Sequence, residues 1–168
     1  MKGLQHSLAR GPAALQPVMK KSFALKDFAI RTTGATGVGY GTASFGDFPD
    51  GNILFFGATA YLQFTKLDAG TTTTFDGDYS VGTTATADAT LSTTDANIIS
   101  SSALGAATAG LSPIARGTGS TLAMLDNTDG SLELNLNLII DDAAISADDQ
   151  DFTVDGVVTV LFSILNDD

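Results

Sequence analysis

With 168 residues, 43% of them hydrophobic, the chain is long enough to build one domain around a real core, and nothing in it requires a second. It has no Cys, which excludes a disulfide framework, a thiolate metal site and a cysteine nucleophile, and leaves stability to packing or to association. The net charge of −11 excludes a body that binds nucleic acid, because a strongly acidic surface repels phosphates.

That charge is unevenly spread. Lys2, Arg10, Lys20, Lys21, Lys26 and Arg31 stand among the first 31 residues against the single acid Asp27, a balance of +5. The rest of the chain holds Lys66 and Arg116 against 18 acids, a balance of −16. A basic arm on an acidic body is expected to dock on a neighbouring subunit or on another acidic surface.

The arm is residues 1–21. Its apolar residues are interrupted by Gln5, His6, Arg10, Pro12, Gln16 and Pro17, so it lacks the continuous apolar stretch of a secretory signal. Pro12 and Pro17 hold any helix to a turn or two around 12–16. Residues 22–168 form the body. SFALKDFAIRTT at 22–33 alternates imperfectly, which predicts a first strand with a bulge or register change near Lys26 and Asp27. GATGVGYGTASFG at 34–46 matches neither GxGxxG nor the phosphate-loop pattern, so its glycines predict a strand approached closely by another backbone or a ring. DFPDGN at 47–52 is a turn. NILFFGATAYLQFTK is the longest apolar strand, central in a sheet, with Phe55, Phe56, Tyr61 and Phe64 in the core.

Residues 67–120 are small and polar, with Thr-rich strands at TTTTF and SVGTTATADATL and turns at DGDYS and STTDAN. Phe75, Tyr79, Leu91, Ile98, Ile99 and Leu111 are expected to anchor ordered surface loops there. TLAML at 121–125 is a short strand, and LDNTDGS turns the chain into SLELNLNLIIDD at 131–142. In that stretch Leu132, Leu134, Leu136, Leu138 and Ile140 alternate with polar residues, which predicts a strand with one wet face. FTVDGVVTVLFSIL at 152–165 is its expected antiparallel partner. The fold class that follows is all-β, an antiparallel β-sandwich or jelly-roll-like body with an extended N-terminal arm.

Little in the chain is equipped for chemistry. His6, the one histidine, lies in the arm away from any core pattern, which leaves no histidine-based triad or multi-histidine zinc site in the body. The surviving candidates are carboxylates: Asp47 with Asp50, Asp76 with Asp78, Asp126 with Asp129, Asp141 with Asp142, and Asp148 with Asp149 and Asp151. Each pair suits calcium or glycoside hydrolysis in principle, but each also sits where turns favour Asp, and LDNTDGSLE does not fit the calcium-loop pattern. Turn chemistry is the reading adopted, with no catalytic residue, metal or cofactor. The longest apolar run, VVTVLFSIL, is strand length and too short for a membrane-spanning helix.

The stretch GVGYGTASFGDFPDGNILFFGATAYLQFT, together with LDNTDGSLELNLNLIIDDAAISADD, resembles small virion proteins of tailed bacteriophages, nearest among them the Cys-free, Thr/Ala/Gly-rich head decoration or cement proteins. The resemblance spans residues 37–168 in texture and rests on no catalytic signature. It implies a non-enzymatic sandwich that trimerises on the outer capsid surface, its arm gripping the major capsid protein or a neighbouring copy. Lys2, Arg10, Lys20 and Lys21 are the expected arm contacts, with Leu4, Leu8, Leu15, Val18 and Met19 as apolar anchors. The rival readings are a tail or head-fibre component and a carbohydrate-binding or hydrolytic sandwich using the Asp clusters.

Overall fold

The computed structural model describes residues 17–34, 38–67, 74–141 and 149–165. Within them the regular elements are nine strands: β1 Met19–Thr33, β2 Gly39–Asp47, β3 Gly51–Lys66, β4 Gly77–Gly82, β5 Ile99–Ala103, β6 Ala115–Gly119, β7 Ala123–Asn127, β8 Glu133–Ile140 and β9 Gln150–Leu165. A single 3-10 turn at Thr93–Asp95 accompanies them. Every pairing is antiparallel, and the order is β5-β4-β8-β2-β1-β9-β3-β6. β6 and β7 share one edge of β3, β6 along Ala58–Leu62 and β7 along Gly51–Phe55. The chain is the expected antiparallel sandwich, jelly-roll-like, with one sheet curled until it almost closes.

The closure occurs where β5 meets β6. The two strands share no ladder, but their backbones touch because Gly119 lies against the carbonyl of Ile98. Gly117 makes the same approach possible beside it: a Cβ there would stand 2.5 Å from the Tyr79 hydroxyl and 2.7 Å from Ile99 Cγ2. Inside the closed sheet lie Ile53, Phe55, Leu62 and Phe64 from β3, Phe152, Val154, Val158 and Val160 from β9, and Leu134, Leu136 and Leu138 from β8, all essentially without exposure. Rings meet edge to face in this core, Phe75 on Phe152 with centroids 5.3 Å apart and Phe48 on Phe162 at 5.5 Å.

Several local expectations hold. β1 shifts register between Leu25 and Phe28, and Asp27 takes φ 48 at the bulge while its N–H donates to Asp155 Oδ1 at 3.1 Å. The β2 glycines do admit close neighbours, Gly41 the backbone of Arg31 and Gly46 the ring of Phe23. β3 is central, with β9 on one side and β6 and β7 on the other.

Others are corrected. β8 has no wet face: residues 134–140 are all buried, because β2 and β4 flank it and residues 83–97 lie over its outer side. β8 and β9 are not partners, since β2 and β1 stand between them. DGDYS is not a turn but the start of β4, and residues 74–76 before it are not strand. β4, β5 and β6 bring residues read as surface loop into the sheet, with Phe75, Tyr79, Ile98 and Ile99 as buried anchors while Leu111 is exposed. Phe55 and Phe64 are core, but Tyr61 is half exposed and Phe56 only partly buried at a bulge between Phe55 and Gly57.

Burying the outer side of β8 requires that its polar side chains be satisfied, and Asn137 does this alone for three groups. Its Oδ1 accepts the Thr86 N–H at 2.9 Å, and its Nδ2 donates to the Asp95 carbonyl at 2.8 Å and the Thr84 carbonyl at 3.1 Å. Asn137→Ala strands those partners, so urea unfolding should show a loss of about 2–3 kcal/mol. The Tyr79 hydroxyl is the reverse case, fully buried with no partner, its pKa pushed up to about 12 by burial. Tyr79→Phe removes that unmet hydroxyl and should raise stability by about 1 kcal/mol in the same assay.

A candidate assembly interface

The two outer sides of the curled sheet are treated differently by the chain. Over β4 and β8, residues 83–97 form a polar lid: Asn137 holds it as described, the Ser80 hydroxyl donates to the Asp95 carbonyl at 2.7 Å, and Asn97 Oδ1 accepts the Thr83 N–H at 3.0 Å. The outer side of β1, β9, β3, β6 and β7 has no such lid among the described residues, although at its β7 end Ser163 is buried, its hydroxyl donating to the Pro17 carbonyl at 3.2 Å.

That bare side divides into two halves. In register across the strands, one row is Ala24, Val157, Tyr61 and Arg116, and the next is Ser22, Thr159, Thr59 and Thr118. Lys20 and Leu161 follow, then Ser163, Leu54 and Met124 towards the end where Val18 enters β1. Past Tyr61 in the other direction the rows become polar, with Asp155 beside Gln63, Thr153 beside Thr65, and Asp151 beside Arg31. The first half sets the exposed apolar side chains Tyr61, Leu161 and Met124 among serine and threonine hydroxyls and two cations, and it is free of carboxylates, whereas the second half is polar and acidic.

Of the eight large hydrophobic side chains exposed among the described residues, six lie on or beside the apolar half: Val18, Tyr61, Ile114, Leu122, Met124 and Leu161. Met124 is 67% exposed and Leu122 64%. Two shallow depressions shape it. One of about 280 Å³ lies among Phe56, Gly57, Thr59, Thr118, Thr159 and Leu161, and one of about 300 Å³ among Tyr61, Gln63, Ile114, Asp155 and Val157. Neither brings an acid together with a base or nucleophile, and Asp155 accepts the Asp27 N–H. Lys20 and Arg116 are the charged side chains of the apolar half, and the Arg116 guanidinium sits 5.8 Å from the Tyr61 ring centroid.

The arm residues singled out in the sequence fall partly within reach. Lys2, Leu4, Leu8, Arg10 and Leu15 lie outside the described residues. Val18 is exposed where the chain enters β1, and Met19, Lys20 and Lys21 are the first three residues of that strand, opposite Phe162, Leu161 and Val160. Met19 packs against the core. Lys21 Nζ donates to the Asp47 carbonyl at 2.9 Å and stands 4.9 Å from the Phe23 ring centroid. Sequence reading missed the apolar half-face itself. Its only signal was the unbroken apolar run of β3, which marks residues pointing both ways.

The acidic clusters act locally. Asp126 Oδ1 accepts from the Thr128 N–H and hydroxyl, and Asp129 Oδ1 does the same for Ser131, bonds that hold the Asp129 carboxyl below its ordinary range. Asp149 is likewise held down, by the Gly34 N–H at 2.9 Å and by Arg31. Asp141 is opposite in sign: desolvation raises its pKa, and Asp78 and Asp76 raise it further. Among the described residues no three His, Cys, Asp or Glu side chains converge to hold a metal ion.

No protein-family model matches the chain, and no curated protein does. Among solved structures it is similar to a chain of infectious bursal disease virus, Gt strain, with TM-score 0.40 and 11% identity over 86% of this chain and 32% of that one. It is also similar to the infectious bursal disease virus VP2 subviral particle, with TM-score 0.40 and 9% identity over 89% and 33%. A chain of the cyanophage Pam1 capsid asymmetric unit matches with TM-score 0.37 and 18% identity over 89% of this chain and 86% of that one. The chain spans about a third of the bursal-disease-virus chains it matches. At these scores the likeness carries no functional inference.

The Asp141 shift has a measurable sign. A carboxyl whose folded pKa is raised costs stability when ionised, and that cost is relieved as pH falls through the raised value. Asp141→Asn should therefore melt higher than the parent at neutral pH, with the gap closing on acidification into the carboxylate range. A constant gap from neutral to acid pH in scanning calorimetry would show that neither desolvation nor the Asp78 and Asp76 charges raise the Asp141 carboxyl.

Proposed function

We propose that the chain is a non-enzymatic virion structural protein, a capsid decoration or cement protein. In this reading the body, residues 22–168, sits on the outer surface of the head as a homotrimer. The arm, residues 1–21, binds the major capsid protein lattice and neighbouring copies and so stabilises the particle. The observation that carries an assembly role is the uncovered outer half-face, where Tyr61, Met124 and Leu161 are exposed on the strands with Val18, Ile114 and Leu122 exposed at their borders, a grouping that a monomer that stays alone has no use for. Two further features support it. The basic arm and acidic body complement each other between copies, and the depressions lack the paired groups that catalysis needs.

Because Met19–Lys21 belong to β1, the informative truncation ends at Gln16 and leaves the β1–β9 ladder whole. The chain lacking residues 1–16 should keep the circular dichroism of the full chain and fail to co-sediment with undecorated heads that the full chain binds. Binding that survives the truncation overturns the arm's role. Capture by tails instead of heads moves the reading to a tail component, and calcium-dependent binding to a glycan array moves it to a carbohydrate-binding sandwich.

A further inference from the structure

Resting on the assembly reading, we infer that the apolar half-face is the contact surface for a second copy of this chain, rather than for the arm or for a foreign protein. Charge is the deciding feature. The chain has 19 acids against 8 bases, so two copies repel over most of their surfaces. The rows from Ala24, Val157, Tyr61 and Arg116 to Lys20 and Leu161 form a side free of acids, and their two charged side chains are cations. A like-charged copy can approach there, bringing its acidic surface to Lys20 and Arg116 as the apolar centre is covered.

The same end of the molecule supplies a matching acidic edge. Asp126 lies two residues from Met124 on β7, and the turns carrying Asp50 and Asp129 pack together, with Asn127 Nδ2 donating to the Pro49 carbonyl at 2.8 Å. Cations on one side and acids at the β7 edge make the surface complementary to a second copy of itself. Leu161 borders the depression lined by Gly57, Thr59, Thr118 and Thr159, which leaves room for a side chain from a facing sheet, and Tyr61 borders the second, where Asp155 marks the start of the polar half. A protein of unrelated sequence would need the same combination by coincidence, whereas a second copy supplies it by symmetry.

The test is the solution mass of the full chain by sedimentation equilibrium up to about 100 μM, where an interface of standard size is well populated. The full chain should run as an oligomer. Leu161→Glu and Met124→Glu, both surface changes checked for an unaltered circular dichroism spectrum, should each weaken association at least about tenfold. Leu67→Glu, on an exposed residue outside the apolar half, should leave it unchanged. A monomeric full chain, or a Leu161→Glu chain that associates like the parent, overturns the inference. Head binding by the full chain is measured separately: its persistence alongside a monomeric chain sinks only this contact, and its loss alongside an intact oligomer sinks only the decoration role.

Discussion

The whole structure depends on one sheet curling far enough for β5 to reach β6. Neighbouring strands twist relative to one another by roughly 20–25°, which bends a broad sheet but does not bring its last strands into contact. Contact requires that nothing stand between the two backbones, and Gly117 and Gly119 provide that clearance against Ile99 and the Ile98 carbonyl. From this closure follows a single enclosed core in which β3, β8 and β9 bury their inner sides together. Its imperfection is visible in the same place, where the Tyr79 hydroxyl ends against Gly117 with no partner.

Closure also decides what happens outside. A curled sheet has an outer surface larger than its core, and each part of it must be covered, made polar or used. Over β4 and β8 the chain covers it with residues 83–97, pinned by Asn137 and Ser80. Along Asp151, Thr153 and Asp155 it is polar, with Arg31 held between Asp149 and Asp151 at 3.4 and 3.2 Å. The rows from Tyr61 to Met124 have no such lid among the described residues and mix exposed Tyr61, Leu161 and Met124 with hydroxyls and two cations. The same strands β3 and β9 run through both the polar and the apolar half, so composition changes along the strand while the backbone does not.

Sequence made the strands legible wherever alternation or turn chemistry was clean, as in β1 with its bulge at Asp27 and in the turn between β2 and β3. It misled at β8 because alternation of Leu with Asn reports side-chain polarity, whereas burial depends on what lies above the strand. Asn135 and Asn137 look like surface residues until a loop distant in sequence covers them. Nearness in sequence suggests that β8 pairs with β9, but the ladders join β8 to β2 and β4, and β9 to β1 and β3. Those partners are long-range, and no local pattern encodes them. The sequence points Tyr61 to the core for a related reason: a continuous apolar run says that both sides of a strand are apolar and leaves open whether each is covered by the same chain.

That ambiguity is where the functional information lies. A run such as NILFFGATAYLQFTK is what a strand buried on both sides looks like, and β3 meets the pattern with one side in its own core and the other only partly buried, exposed at Thr59 and Tyr61. If burial on the second side is supplied by a neighbour, the sequence is consistent with its period, and Tyr61 and Leu161 are core residues of the assembly instead of surface residues of the subunit. The charge distribution is in keeping with that, because Lys20 and Arg116 border a stretch of the sheet without carboxylates on a chain that is otherwise acidic. An acidic body keeps separate assemblies apart over most of its surface, and on the inference drawn above the outer strand face is where its described surface lets a second copy come close.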